Sequence, residues 1–154
     1  EISRSSLSVY LNLLERTYLF FQVFNCDAGF RTRKNRSRKI YPMTVNLYSI
    51  QPSVQEGYLV ETFVANYLYR HGIEFYFWRE KEGKEVDFVI REGSKLLPVE
   101  VKYQNQIRET DLKNLIFYCH KNHIDRAVVI SKYLMPAQTF SSVNINFVPA
   151  HHLL

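Results

Sequence analysis

The segment from residue 74 to residue 103 constrains the fold of this chain more than any other part of the sequence. It contains three strand-like runs, residues 74–79, 85–91 and 96–103, which are rich in Val, Ile, Phe, Tyr and Trp. Gly83 and Gly93 lie between successive runs, where a tight turn favours glycine. Short β-rich runs separated by glycine turns predict a three-strand antiparallel meander.

Helical periodicity flanks this meander on both sides. A helix is expected from Pro52 to about His71, with an apolar face formed by Val60, Phe63, Val64, Tyr67 and Leu68. A second helix is expected from Thr110, followed by strands at residues 127–131 and 144–148. Because a crossover helix returns the chain in the same direction, the later strand should lie parallel to its neighbour. The order helix, three-strand meander, helix, strand predicts an α/β domain over residues 51–154.

Residues 1–50 predict a separate segment. Ser5 or Ser6 is expected to cap a helix with apolar residues at helical spacing, followed by strands at residues 18–24 and 39–41. Helix, strand, loop and strand make up the latter half of a winged helix-turn-helix. Its recognition helix would be lined by polar residues, namely Ser3, Arg4, Ser5, Ser8 and Asn12. A helical lid that only packs against a neighbouring element is an equally open alternative.

Composition indicates a packed globular chain, since 46% of the residues are hydrophobic and 15% are aromatic. No apolar run approaches the roughly 20 residues that a membrane-spanning helix requires, so we expect no membrane partner and a cytoplasmic location. Cys26 and Cys119 are the only cysteines. They are far apart and lack metal-ligand spacing, which argues against a disulfide framework or a structural zinc site.

The net charge of +5 arises from one stretch of the chain. Residues 28–55 contain six basic residues and no acidic residue, whereas residues 56–154 contain twelve of each. Such a run attracts phosphate backbones, although a solvated loop would have the same composition. The candidate nucleic-acid-binding residues are Arg31, Arg33, Lys34, Arg36, Arg38 and Lys39.

Four polar residues interrupt the apolar pattern of the predicted α/β domain. Asp87 lies between Val86 and Phe88, and thirteen residues later Glu100 and Lys102 alternate with valines. Residues two apart on a strand share a face, so pairing across the Gly93 turn should bring these side chains together. Glu61 borders the apolar face of the preceding helix and can lean towards the sheet.

Three carboxylates and one amine on one surface are typical of metal-dependent phosphodiester hydrolysis. Asp87, Glu100 and Glu61 would hold Mg²⁺ or Mn²⁺, which prefer oxygen ligands and accept phosphate oxygens as further ligands. Lys102 would orient or deprotonate the attacking water, or neutralise developing charge. The alternative is a structural ion-pair network that includes Arg79, which could also pair with Glu85 across the hairpin.

These residues resemble the PD-(D/E)xK restriction-endonuclease-like superfamily, in which an Asp precedes a Glu-x-Lys strand. Four stretches, beginning at Gly57, Phe77, Glu85 and Val99, resemble the C-terminal domain of predicted archaeal and bacterial AAA-type ATPases. Residues 2–15 and 39–42 resemble the partial winged helix that precedes that domain. Such chains often carry an Asp after the Lys-Ile-Tyr strand, where this chain has Pro42, Met43 and Thr44.

The resemblance implies a restriction-endonuclease-like core and an upstream ATPase module in the same polypeptide. No GxxxxGK[ST] phosphate loop occurs among the five glycines printed here. The expected activity is Mg²⁺-dependent cleavage of DNA, and self-association into a homo-oligomer is left open. The rival hypotheses are a nuclease-fold module that binds DNA or a partner without cleavage, and an oligomerisation domain for the ATPase.

Overall fold

In the computed structural model, residues 3–26, 37–50, 53–80 and 83–154 are described, and they form helices around a mixed β-sheet. The elements follow the chain in this order: α1 Arg4–Arg16, β1 Phe20–Phe24, β2 Arg38–Pro42, α2 Glu56–Arg70, β3 Phe75–Arg79, β4 Glu85–Glu92, β5 Lys95–Lys102, α3 Lys113–Lys121, β6 Arg126–Ser131, β7 Gln138–Phe140 and β8 Val143–Pro149. Short 3-10 helices occupy Val45–Ile50, Glu109–Leu112 and Ala150–Leu153.

The larger sheet has six strands in the order β3-β4-β5-β6-β8-β7. Strands β3, β4 and β5 form the predicted antiparallel meander, and the crossover through α3 places β6 parallel to β5. Strand β8 continues parallel to β6, while the three-residue β7 pairs antiparallel at the edge. The chain is therefore a mixed α/β fold, and β7 is an edge strand that the sequence pattern did not predict.

Each face of this sheet carries its own hydrophobic cluster. On one face, α3 residues such as Leu115 and Cys119 pack with Trp78 and Val129. On the other face, α2 residues pack with Phe88 and further sheet residues. Burying both faces explains why β5 and β6 read as nearly continuous apolar runs.

The β1–β2 hairpin belongs to the α2-side cluster rather than to a core of its own. Its buried residues Phe21, Val23 and Tyr41 pack with α2 and the sheet, and the Phe21 ring stacks on Tyr69 with ring centroids 4.5 Å apart. Backbone bonding also joins the hairpin to β3, because the amide of Cys26 donates to the carbonyl of Phe77 at 2.9 Å. Residues from both predicted segments thus contribute to one core.

Helix α1 is the more exposed part of the N-terminal segment. It begins earlier than predicted, because the Ser3 side chain caps it by accepting a hydrogen bond from the Ser6 amide at 3.1 Å. The prediction that Ser5 or Ser6 is the cap was therefore wrong. Its apolar residues Leu7 and Tyr10 are more than half exposed. None of the helices formed by the described residues has the length and apolar character needed to cross a membrane.

Candidate functional site

Asp87 and Glu100 meet where β4 and β5 stop pairing. The ladder between these strands runs from Glu92 and Lys95 up to Phe88 and Val99. Beyond that point side chains replace the ladder: the Val101 amide donates to Asp87 Oδ2 at 2.9 Å, and the Asp87 amide donates to Glu100 Oε2 at 3.3 Å. These reciprocal bonds fix both carboxylates at the opening between the strands.

A β-bulge determines the direction of the Asp87 side chain. The register between β3 and β4 shifts between Tyr76 and Trp78. Val86 consequently packs in the α3-side cluster and Phe88 in the α2-side cluster, although residues two apart on a regular strand would share a face. The extra residue accommodated between them is Asp87. Regular strand alternation, which the sequence prediction assumed for β4, does not hold at this position.

Glu100 and Lys102 form a close ion pair on β5. Lys102 Nζ lies 2.7 Å from Glu100 Oε1, and Glu100 is buried. Burial raises the pKa of Glu100 to about 8, the nearby Asp87 carboxylate adds to the increase, and Lys102 opposes it. Burial alone would lower the pKa of Lys102, but the Glu100 carboxylate outweighs it and the pKa is raised. Lys102 is therefore a charged ammonium at neutral pH.

Asp87 is also hard to ionise in this environment. Its pKa is raised, first by burial and then by the Glu61 carboxylate, while Lys39 and the Val101 amide act in the opposite direction. The Asp87 carboxylate in turn raises the pKa of Glu100, because two nearby negative charges repel. A cation placed at this pair would relieve that repulsion.

Lys39 of β2 lies at the centre of a second group of carboxylates. Its Nζ is 2.7 Å from Glu61 Oε1, 2.5 Å from Glu85 Oε1 and 3.5 Å from Asp87 Oδ1, and the side chain is only 14% exposed. Burial alone would lower the pKa of Lys39, but the Asp87 and Glu61 carboxylates outweigh it and the pKa is raised. Lys39 is the shared positive charge of these three acidic side chains.

Tyr41 and Arg79 complete the surroundings of Lys39. The Tyr41 hydroxyl donates to Glu61 Oε1 at 2.6 Å, and burial followed by the Glu61 charge raises the pKa of Tyr41. Arg79 Nε pairs with Glu85 Oε2 across the β3–β4 hairpin, as the sequence suggested. Burial would raise the pKa of Glu85, but Arg79 and Lys39 lower it overall.

The four predicted site residues therefore lie in one neighbourhood, divided between two cations. Glu100 pairs with Lys102, Glu61 pairs with Lys39, and Asp87 contacts both halves. Sequence reasoning missed Lys39 and Tyr41 as members of this site. A usable signal was present, because residues two apart on a strand share a face and these two polar groups flank Ile40.

Two of the six residues predicted to contact phosphates, Arg38 and Lys39, lie in the part of the chain that the structure describes. The Lys39 ammonium points into the acidic cluster, where it contacts Glu61, Glu85 and Asp87. Arg38 Nη1 donates to Gln22 Oε1 at 2.8 Å, and its guanidinium lies 5.7 Å from the centroid of the Phe24 ring. The other four predicted residues, Arg31, Arg33, Lys34 and Arg36, lie outside the described residues.

A metal ion fits one part of this site better than the other. Within residues 3–26, 37–50, 53–80 and 83–154, no group of three or more His, Cys, Asp and Glu side chains is arranged to hold a metal ion. The reason is Lys39, since the oxygens of Glu61 and Asp87 surround an ammonium rather than one another. Asp87, which is partly buried, and Glu100, which is buried, are neighbouring oxygen donors that suit a divalent cation chemically.

An open cleft of about 400 Å³ lies next to Lys39 and Glu61. Its lining combines hydroxyl-bearing aromatic rings with charged groups, chiefly Tyr41, Tyr48, Tyr58, Arg79 and Glu85. The acidic cluster is therefore reachable from solvent on the side of α2 and the hairpin.

Comparison with known proteins places the chain in a family. No curated protein matches the chain. The family model described as "Domain of unknown function (DUF4143)" matches residues 56–153, which is more than half of the 154 residues and contains α2, the whole six-stranded sheet, Asp87, Glu100 and Lys102. The chain therefore belongs to the DUF4143 family.

Proposed function

We propose that this domain is a metal-dependent phosphodiester hydrolase of the PD-(D/E)xK type that acts on DNA and forms the C-terminal part of an AAA-type ATPase. The observation that carries the proposal is the meeting of Asp87 with the Glu100-x-Lys102 strand at the opening between β4 and β5. The order of α2, β3, β4, β5, α3 and β6 supports it, because this is the element order of the restriction-endonuclease-like core.

Each residue has a distinct part in this proposal. Asp87 and Glu100 would hold Mg²⁺ or Mn²⁺, and when bound the ion would neutralise phosphate charge and make a water easier to deprotonate. Hydrolysis forms a bond between a water oxygen and phosphorus and breaks the phosphorus–ester oxygen bond. Because the pKa of Lys102 is raised, its ammonium suits stabilisation of the negative charge that develops on phosphate oxygens better than the role of a base.

The same structure offers one specific argument for a module that binds without cleaving. In the described part of the chain the carboxylates are not grouped around a vacant cation position, and the Lys39 ammonium already lies among Glu61, Glu85 and Asp87. A domain of this kind would retain the fold for binding DNA or a partner, and the enzymatic activity would belong to the ATPase module.

Two substitutions separate catalysis from metal binding. Asp87→Asn should abolish Mn²⁺ binding and cleavage together, because it removes an anionic oxygen ligand. Lys102→Ala leaves Asp87 and Glu100 in place, so Mn²⁺ affinity should persist or rise while cleavage falls by about 10²–10³-fold, the usual cost of removing one group that stabilises transition-state charge. The measurements are calorimetric Mn²⁺ titration and nicking of linear, nicked and branched DNA with Mg²⁺ or Mn²⁺.

Lys95→Ala provides the matched control for Lys102→Ala. Lys95 lies at the opposite end of β5 and is exposed, so this variant should bind and cleave as wild type does. If wild type binds no divalent ion at millimolar concentrations and nicks none of these DNAs, the hydrolase proposal fails and the binding module replaces it.

A further inference from the structure

Lys39 reaches the acidic cluster from outside the sheet. It is carried by β2 of the hairpin, whereas its three carboxylate partners come from α2 and from β4. The ammonium lies 2.7 Å from Glu61 Oε1, 2.5 Å from Glu85 Oε1 and 3.5 Å from Asp87 Oδ1. Carboxylates from two elements thus converge on a positive charge that a third element carries.

Such an arrangement of oxygens is also close to what a divalent cation requires. Mg²⁺ and Ca²⁺ bind carboxylate oxygens at about 2.0–2.6 Å, so the oxygens around Lys39 Nζ would have to move inwards by up to about 1.5 Å, the Asp87 oxygen furthest. At present they are spaced for an ammonium. This spacing accounts for the finding that the described residues contain no preassembled group of metal ligands.

Neighbouring groups reinforce the positions of these oxygens. The Tyr41 hydroxyl donates to the same Glu61 oxygen that contacts Lys39, at 2.6 Å. Arg79 pairs with the second oxygen of Glu85, which leaves Oε1 for Lys39. The Val101 amide holds Asp87 Oδ2, so that Oδ1 faces Lys39. Each of the three carboxylates is therefore held by a second contact besides Lys39.

We propose that Lys39 is a built-in cation of this site and competes with a divalent metal ion for the oxygens of Glu61, Glu85 and Asp87. Its removal would leave three carboxylates facing one position, with Arg79 paired to Glu85 and Lys102 near Asp87, and a divalent ion is the natural replacement for the lost charge. Because β2 carries Lys39, packing of the hairpin against α2 and the sheet is what keeps the position filled. The hairpin therefore limits the metal affinity of the domain.

The inference rests on the divalent-cation part of the proposed function, but it does not require cleavage. Its test is Mn²⁺ titration of the full chain by calorimetry, with wild type, Lys39→Met and Lys95→Met compared. Methionine keeps a long unbranched side chain without the charge. We expect Lys39→Met to bind Mn²⁺ tighter than wild type by about tenfold or more, because a positive charge has left the ligand oxygens. Lys95→Met also removes one lysine charge, but from an exposed position away from the cluster, so it should match wild type.

A double variant identifies the oxygens involved. Lys39→Met combined with Glu61→Gln should lose most of the gained affinity, because one anionic ligand has become a neutral amide. If the double variant binds as tightly as Lys39→Met, the new affinity arises elsewhere and the proposal is overturned. If Lys39→Met is unfolded without metal, circular dichroism should show that millimolar Mn²⁺ restores the fold, because binding to the native state stabilises it; failure to restore it overturns the proposal.

The outcomes for wild type keep this inference apart from the proposed function. If wild type binds no Mn²⁺ but Lys39→Met does, the proposal that Lys39 is a built-in cation is supported. The proposal that the wild-type domain is a metal-dependent hydrolase then fails. If wild type binds Mn²⁺ and Lys39→Met binds it no better, Lys39 does not compete, and the hydrolase proposal is unaffected.

Discussion

Glu100 is buried on β5 between an attractive partner, Lys102, and a repulsive one, the Asp87 carboxylate. Burial dominates, so the pKa of Glu100 rises from 4.5 to about 8. A carboxyl whose pKa is higher in the folded state binds its proton more strongly there than in the unfolded chain. Its contribution to stability is therefore fully present below about pH 4.5 and is lost as the pH rises through about 8.

This sign gives a prediction for the metal-free protein. Between about pH 5 and about pH 8, the unfolding free energy of wild type should fall relative to that of Glu100→Gln, by on the order of a few kcal/mol. The glutamine variant cannot ionise at residue 100. Urea unfolding in the presence of a chelator, at several pH values, measures the difference. Parallel pH profiles for the two proteins would show that Glu100 ionises normally.

At the level of helices and strands, local pattern predicted the elements but not how they combine. Periodicity in the sequence predicts helix α2 and strands β4 and β5. A glycine between the two strands predicts the turn, and Gly93 indeed adopts a positive φ of 63° there. The bulge at Asp87 is not predicted in this way, because it depends on how β3 pairs with β4. The contact between Asn25 and Phe77, which attaches the hairpin to the sheet, joins residues far apart in sequence and has no local signature.

Some residues of the candidate site could likewise be predicted from local sequence, whereas others depend on tertiary packing. Asp87, Glu100 and Lys102 were predictable because each is a charged residue within an apolar run, where burial is costly unless the charge has a partner. Lys39 was assigned to the basic run because of its neighbours in sequence, whereas its partners Glu61 and Glu85 come from elements further along the chain. Only tertiary packing could show that its charge is directed inwards.

The packing of the hairpin gives a second prediction. Phe21 is 1% exposed within the α2-side cluster, so Phe21→Ala should reduce the unfolding free energy of the whole domain by about 3–5 kcal/mol. Phe117→Ala on α3 is the matched control, because Phe117 is 38% exposed and its removal should cost clearly less. Denaturant unfolding followed by far-ultraviolet circular dichroism measures both. Loss of only a small part of the signal at low denaturant would indicate that the hairpin unfolds independently of the sheet.

For the molecule as a whole, the uneven charge distribution remains the main argument for a nucleic-acid partner. Residues 28–55 contain all of the excess positive charge, yet Lys39 is neutralised internally by three carboxylates. Five of the six basic residues therefore remain candidates for phosphate contacts, namely Arg31, Arg33, Lys34, Arg36 and Arg38.

Lys39 and the other five basic residues of the run should differ in their effect on DNA binding. If all five remaining residues contact phosphates, replacing them with glutamine should weaken binding and reduce the slope of log affinity against log salt by up to about 4.5, since each contact contributes about 0.9. Lys39→Met should leave that slope nearly unchanged, because its ammonium faces Glu61, Glu85 and Asp87 rather than solvent. Fluorescence anisotropy of labelled duplex DNA over a series of salt concentrations measures both slopes.

An unchanged slope in the five-residue variant would remove the run from the DNA-binding surface. A decrease of about one in Lys39→Met would instead mean that Lys39 leaves the acidic cluster to contact phosphate, because only a contact that releases a counterion alters the slope.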